Sequence, residues 1–279
     1  MTGGAWEHQR LLRRAALKLK DPCITARRNG SATDGSISQK AADKGGFRCG
    51  IENLRLRTTI HGADGMSDLI SATAADFRSA LEEFEAAWEN PNHTRFTLPA
   101  VQVNSVLAEK YTTSSPIRLT RHMVWDMEQQ KAWDPATFIP YVVSEGKSWG
   151  RHRLRDGSER FFRSSEQLGW ITEERGTVLE EVLVDHAGQR ILFLGRESLK
   201  RDGERLRASN FQPLFHVEHA VGGSRDDPLN MWRIVILTPE RDERYTEPFK
   251  EMTRQGLLPG FLEIYIERRF HCDLKRREA

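Results

Sequence analysis

The sequence predicts an α+β fold in which a curved, seven-stranded antiparallel sheet grips a long C-terminal helix. Short strand-like segments follow one another from about residue 142 to 238, separated by turn signals such as Asp156-Gly157 and Asp202-Gly203. Such close spacing favours an antiparallel meander over parallel strands joined by helices. A helical pattern then runs over about 246–272. A helix laid across the concave face of such a sheet leaves room for an elongated apolar cavity.

The first 65 residues differ in composition from the rest of the chain. They carry 12 Lys and Arg against 6 Asp and Glu, a net charge of +6, whereas residues 66–279 carry 30 and 34, a net charge of −4. Residues 21–65 have few large apolar side chains to offset the entropy of ordering. We therefore predict that residues 1–65 are a disordered or misassigned N-terminal extension, and that residues 66–279 form one ligand-binding domain. Translation then starts at Met66.

The alternative for the N-terminal segment is a functional one. Residues 8–20 suit a basic amphipathic helix, as in a mitochondrial transit peptide or a membrane-surface segment. In that case translation starts at Met1, and the compartment is mitochondrial if the transit peptide is real.

Charge and cysteine content narrow the classes of function. A mildly acidic main domain argues against nucleic-acid binding driven by phosphate neutralisation. The chain has three cysteines, Cys23, Cys49 and Cys272, with no CxxC pair and no disulfide framework, which favours a reducing, cytoplasmic compartment. No apolar run reaches the ~18 residues that span a bilayer, so we expect no stable membrane insertion.

Four predicted elements precede the meander. A helix is expected at 73–88, where large apolar residues recur at helical spacing. Residues 100–110 suit either a strand or a short helix, and we predict a strand. A pair of helices follows over 120–138, because Thr120 can cap a helix start and Asp134-Pro135 fits a helix stop followed by a new start.

The meander and the last helix complete the fold. Six strands are predicted at about 142–153, 159–164, 177–185, 189–196, 205–221 and 229–238. In the C-terminal helix, Gly256 and Pro259-Gly260 predict a kink or a break. One face of this helix carries apolar residues at the spacing i, i+3, i+4, i+7, namely Leu258, Phe261, Leu262 and Tyr265.

Two segments carry a resemblance to a known superfamily. One is Leu119-Thr120-Arg121-xx-Val124-Trp125-xx-Glu128-xx-Lys131-Ala132-xx-Pro135-xx-Phe138-Ile139-Pro140, and the other is the terminal helix from Phe249-Lys250-Glu251-Met252 to Tyr265. Over about residues 100–272 the chain resembles the START-related (SRPBCC) superfamily, the helix-grip fold of lipid-transfer domains, pollen allergens and polyketide aromatase/cyclases. More narrowly it resembles the AtaL-like branch. The resemblance implies a helix-grip fold and a small-molecule cavity, and no catalytic residues.

His216-Val217-Glu218-His219 is the most suggestive polar cluster. Alternate residues of a strand face opposite sides, so the two histidines point apart and share no metal ion. His219 lies on the more apolar face of the strand and is the first candidate catalytic residue, as a general acid/base or as a group that holds a ligand carbonyl. The alternative is a core histidine bonded to a neighbour or to water. We predict no metal and no cofactor.

Arg233 is the second candidate catalytic residue. Its strand phase is expected to turn it into the cavity beside Val235, where a guanidinium could bind a carboxylate, enolate or carbonyl oxygen. The alternative is an ion pair with Glu180, Glu181 or Glu218 on an adjacent strand.

Further residues are predicted to bind the ligand. They are Tyr141, Arg163, Phe249, Met252, Phe261 and Tyr265. Tyr141 could place a phenol at the pocket mouth or lie on the surface, and Arg163 has the same alternatives as Arg233. The face of the C-terminal helix either lines the cavity or packs as ordinary core.

These observations predict a protein that binds a hydrophobic small molecule, such as a polyketide, terpenoid or aromatic intermediate. They leave open whether it is also an enzyme of the cyclase or isomerase type that rearranges this molecule in secondary-metabolite biosynthesis. Catalysis would then come from holding a reactive conformation in a water-poor pocket. One alternative is a non-catalytic lipid-binding or lipid-transfer module, and another is a chaperone-cofactor-like interaction protein of the same fold. The pattern names no particular ligand and no oligomeric state.

Overall fold

The computed structural model describes residues 73–277, so the predicted extension over 1–65 and the start at Met66 lie outside the described residues. The first helix, α1 (Phe77–Glu89), confirms the helix predicted near residues 73–88. Asp76 caps it, accepting a hydrogen bond from the Ser79 amide at 2.8 Å, while the Ser79 hydroxyl accepts one from the Asp76 amide at 3.1 Å. This reciprocal capping fixes where the helix starts.

The remaining elements follow in chain order. They are β1 (Thr94–Gln102), α2 (Val103–Lys110), β2 (Tyr111–Thr113), α3 (Arg121–Trp133), α4 (Pro135–Phe138), β3 (Val143–Arg153), β4 (Glu159–Leu168), β5 (Arg175–Asp185), β6 (Arg190–Gly195), β7 (Ser198–Arg201), β8 (Glu204–Arg207), β9 (Phe215–Gly223), β10 (Pro228–Ile236), a 3-10 turn (Glu243–Tyr245), α5 (Glu247–Gln255), α6 (Gly260–Phe270) and β11 (Leu274–Arg276). Within the described residues, no helix is long and apolar enough to cross a membrane.

Seven of these strands form one antiparallel sheet in the order β1-β10-β9-β6-β5-β4-β3. From β3 to β6 each strand pairs with the next along the chain, as a meander does. The other neighbouring pairs are antiparallel as well. The predicted α+β class with a seven-stranded antiparallel sheet is therefore confirmed.

Two strand predictions need correction. The strand expected at 100–110 lies earlier, at Thr94–Gln102, and residues 103–110 are helical. Val103 and Leu107 are buried one helical turn apart, and the strand pairing with β10 shifts register around Pro99. The long strand expected at 205–221 is two strands, because β8 pairs with β7 and β9 begins after a separate connection.

Helices cover the sheet on two sides. On the inner face, Val124 and Met127 of α3 and Phe261 of α6 share one buried cluster with Val182 and Phe193 of the sheet. On the outer face, α1 packs over alternate residues of the same strands, such as Leu183 and Leu192. Both faces of β5 are therefore buried from Val178 to Val184, and its two central glutamates, Glu180 and Glu181, are buried with the apolar residues on either side of them.

The C-terminal helix is broken where the sequence predicts it. α5 ends at Gly256, whose φ of 58° is left-handed and suits glycine, and α6 begins after Pro259. α5 lies over β1, whereas α6 packs against α3 and α4. The break therefore lets two short helices enclose the inner face along different directions.

Candidate ligand-binding cavity

A cavity of about 270 Å³ lies between the inner face of the sheet and the helices α5 and α6. Large aromatic side chains dominate its wall, namely Trp170, Phe193, Phe215, Trp232, Phe249 and Phe261. The exposed residue Glu173, in the loop between β4 and β5, places the opening at that loop. Such a concave, largely apolar space with a few convergent polar groups is typical of small-molecule sites.

Two buried polar side chains of the cavity wall, Lys131 and His219, contact the buried carboxylate of Glu128. Lys131 Nζ lies 2.5 Å from Glu128 Oε2 and 2.7 Å from His219 Nδ1. The same His219 nitrogen lies 3.1 and 3.3 Å from the two Glu128 oxygens. Glu128 and Lys131 are one turn apart on the buried face of α3, while strand alternation in β9 turns His219 toward them.

Neighbouring groups complete this cluster. Asn230 donates to Glu128 Oε1 at 2.6 Å, and the Trp232 indole donates to Asn230 Oδ1 at 2.7 Å. Lys131 Nζ sits 3.9 Å from the centre of the Phe261 ring, a cation–π distance. The His219 ring packs beside Trp232 with centroids 4.9 Å apart. These contacts hold all three polar side chains in place.

Burial shifts the pKa of each member. Burial alone would raise the pKa of Glu128, but the Lys131 ammonium and His219 bring it down to about 2. Burial lowers the pKa of Lys131 to about 8, although Glu128 opposes the shift. Burial and the Lys131 charge lower the pKa of His219 to about 4. At pH 7 the cluster therefore holds a carboxylate, a mostly protonated amine and a neutral imidazole.

Arg163 lines the cavity but is already paired. Its Nε and Nη2 bond to the two Glu180 oxygens at 2.5 and 3.1 Å, and its Nη1 donates to the Ala132 carbonyl at 3.1 Å. The guanidinium also lies 4.5 Å from the centre of the Phe193 ring. Arg163 thus forms the predicted ion pair with an adjacent strand and also lies at the predicted position in the cavity wall.

The expected cavity position of Arg233 is wrong. In the antiparallel pairing of β9 and β10, Arg233 lies opposite Glu218, and Trp232 lies opposite His219. Residues directly opposite each other share a face, so Arg233 is on the outer face. There it pairs with Glu218 and, at 2.6 Å, with Glu85 of α1. Arg233 therefore forms the ion pair with Glu218 that was the alternative, and it does not line the cavity.

The structure brings most of the other predicted ligand-binding residues together. Tyr141, Phe249, Met252 and Phe261 line the cavity with Arg163 and His219. Tyr265 does not, because it is buried against the core and its hydroxyl donates to Asp126 Oδ2 at 2.9 Å. Among the described residues, no group of three or more His, Cys, Asp or Glu is arranged to hold a metal ion.

Tyr141 sits beside the break in the C-terminal helix. Its ring lies close over Gly260, where an added Cβ would meet the ring at 2.8 Å. Its burial raises the pKa of the phenol. The phenol is thus one of the polar groups that line the cavity.

Sequence reasoning missed Lys131 and Glu128 as site residues. A signal was present, because Glu128-x-x-Lys131 places two opposite charges on a helix face that otherwise carries Met127 and Val124. Charged residues are almost never fully buried unless paired. A charged pair at i, i+3 inside an apolar face therefore indicates either a surface stripe or a buried polar site.

The seven-stranded antiparallel sheet with helices across its inner face confirms the predicted α+β helix-grip fold. No family model and no curated protein matches the sequence. The solved structure of the ZhuI aromatase/cyclase from Streptomyces sp. R1128 is similar at 13% identity and a TM-score of 0.38, over 63% of this chain and 94% of that one.

Two further solved structures are similar at comparable levels. Norcoclaurine synthase from Thalictrum flavum has 7% identity and a TM-score of 0.35, over 78% of this chain and 99% of its own. A START superfamily protein from Mycobacterium smegmatis has 11% identity and a TM-score of 0.31, over 58% and 97%. Similarity at this level assigns this chain neither a function nor a place in the AtaL-like branch.

Proposed function

We propose that this chain binds a hydrophobic, largely planar small molecule in the aromatic cavity and acts on it as a cyclase- or isomerase-type enzyme. The observation that carries the proposal is the buried cluster of Lys131, His219 and Glu128 at the wall of that cavity. A lipid carrier needs only apolar walls. Buried charges are costly and their pKa values shift, and such groups concentrate at functional sites.

The aromatic wall suggests the kind of molecule that fits. Flat rings of Trp232, Phe261 and Trp170 offer faces and edges on which a conjugated or aromatic ligand can pack. A polyketide, terpenoid or aromatic intermediate would be enclosed away from water, which favours one reactive conformation. Negative charge that develops on a ligand oxygen would be stabilised by the nearby Lys131 ammonium in this low-dielectric site.

Native mass spectrometry of the purified full chain, followed by extraction of any bound molecule, tests this proposal. A polyketide- or terpenoid-like ligand would support it and name a substrate to assay. A mixture of ordinary fatty acids or phospholipids would favour the non-catalytic lipid carrier instead. Val217→Trp fills the cavity and should remove the ligand, whereas Lys200→Met, at an exposed position of β7, should keep it.

Once a substrate has been identified, turnover can be measured, and Lys131→Met should abolish turnover while substrate binding persists. Unchanged turnover in this variant would exclude the cluster from catalysis. Turnover that persists in Val217→Trp would place the reaction outside the cavity.

A further inference from the structure

Three groups surround the Lys131 ammonium. An ammonium group has three N–H bonds and no acceptor. Nζ forms an ion pair with Glu128 Oε2 at 2.5 Å and a hydrogen bond with His219 Nδ1 at 2.7 Å, and it lies 3.9 Å from the centre of the Phe261 ring. Among the described residues, the hydrogen bond of Nζ is to His219 Nδ1, so the direct polar effect of Lys131 on a neighbouring side chain falls on that ring as well as on its ion-pair partner Glu128.

This arrangement sets the tautomer of His219. A neutral imidazole carries one N–H, on either Nδ1 or Nε2. Nδ1 has two competing neighbours, because the Lys131 ammonium at 2.7 Å can only donate whereas the Glu128 oxygens at 3.1 and 3.3 Å can only accept. The shorter contact favours Nδ1 as the acceptor, and the ring proton then lies on Nε2. Burial lowers the pKa of His219 to about 4, so the ring is neutral at pH 7, and the pKa of about 8 for Lys131 keeps most of the amine protonated there.

The other ring nitrogen is available to the cavity. His219 lines the cavity, and its Nε2 has no hydrogen-bond partner within the part of the chain that the structure describes. Ring packing against Trp232 and Phe193 fixes the plane of the imidazole. An apolar ligand enclosed in the cavity would leave this N–H without an acceptor, whereas a ligand oxygen would pair with it, so a ligand that supplies an acceptor gains affinity.

We propose that Lys131 holds His219 as the Nε2–H tautomer, so that the cavity presents one hydrogen-bond donor and selects hydrophobic ligands that carry an acceptor oxygen, such as a ketone. This inference rests on the proposed function and names its ligand class. Lys131 is thus a positioning residue, and His219 contacts the ligand. His219 donates a hydrogen bond in the resting state and does not act as a base.

The tautomer can be measured in the unliganded full chain. Long-range ¹H–¹⁵N correlation spectra of histidine-labelled protein at pH 7 distinguish a protonated from an unprotonated ring nitrogen, and His219→Phe identifies the signals. We expect a protonated Nε2 and an unprotonated Nδ1 in the wild type. A proton on Nδ1 would overturn the proposal without bearing on ligand binding.

Lys131→Met tests the cause of the preference. Without the ammonium, the Glu128 oxygens at 3.1 and 3.3 Å become the only polar partners of Nδ1 among the described residues. A carboxylate only accepts, so the proton should move to Nδ1 and leave Nε2 as an acceptor. The control Lys200→Met should keep the wild-type tautomer. An unchanged tautomer in Lys131→Met would show that Lys131 does not set it.

Two probes of matched shape test the selection itself. They are 2-acetonaphthone and 2-isopropenylnaphthalene, in which a methylene group replaces the ketone oxygen. We expect the ratio of ketone to alkene affinity to fall about tenfold from wild type to His219→Phe, which corresponds to about 1.4 kcal/mol. The same ratio should fall in Lys131→Met.

The outcomes separate the two proposals. If both probes bind and the affinity ratio is the same in wild type and His219→Phe, the tautomer proposal fails and cavity binding stands. If neither probe binds the wild type, both proposals fail.

Discussion

Replacing Arg163 by Met would leave a carboxylate buried without its cation. Glu180 is 1% exposed, and its only hydrogen-bonded and ion-pair partner among the described residues is Arg163. Breaking a buried pair on one side costs roughly 3–5 kcal/mol, because the remaining charge has lost both water and its partner. With a urea m-value of about 2 kcal/mol per M, the midpoint of unfolding should fall by roughly 1.5–2.5 M.

Urea unfolding followed by tryptophan fluorescence measures this effect. The double variant Arg163→Met/Glu180→Met removes both charges at similar volume and should recover most of the loss, since apolar replacements of buried pairs are often neutral. A loss below about 1 kcal/mol in the single variant, or no recovery in the double one, would refute the buried pair as described. A folded double variant with weakened binding would assign a ligand contact to the Arg163–Glu180 pair, because both residues line the cavity.

Three further predictions concern other parts of the molecule. Arg233→Met should lower the free energy of unfolding by about 1–3 kcal/mol yet change ligand affinity less than twofold. A loss of ligand binding in this variant would contradict the position of Arg233 outside the cavity. Burial lowers the pKa of His216 and His219 to about 4, so unfolding takes up protons and stability should fall from pH 6.5 to 4, by up to about 3 kcal/mol each. Urea unfolding at pH 7 and 4.5 measures this loss of stability, which should be smaller in His219→Phe than in the wild type. Equal free energies of unfolding at the two pH values in the wild type would contradict the prediction. Met252→Ala should admit longer ligands, because Met252 also borders a second cavity of about 300 Å³. Affinities for naphthyl ketones of increasing chain length test this, and an unchanged length limit would count against it.

Local signals predicted much of the sheet. The turns after β3, β5 and β7 are marked by Asp156-Gly157, His186-Ala187-Gly188 and Asp202-Gly203, and strand alternation alone turned His219 inward. The first strand was harder, because Pro99 interrupts its pattern and the apolar residues 101–107 suit either element. Alternation over such a short stretch does not separate strand from helix.

The site itself needed information that lies between elements. Alternation within β10 does not say which set of residues faces the cavity, and only the pairing of Arg233 with Glu218 decides it. Likewise, the role of Lys131 depends on a contact across 88 positions of sequence with His219. Periodicity identifies the faces of each element, whereas the register between elements determines which groups meet.

The alternation along β9 has a consequence for how the chain folds. His219 faces an aromatic interior while the adjacent Glu218 joins arginines of the outer face. Sliding β9 by one position would exchange these surroundings, placing a carboxylate among aromatic rings and leaving Arg190 and Arg233 without their shared partner. A register shift of one position is therefore unfavourable on both faces of the sheet. The polar groups of β9 thus also favour the correct register when the sheet forms.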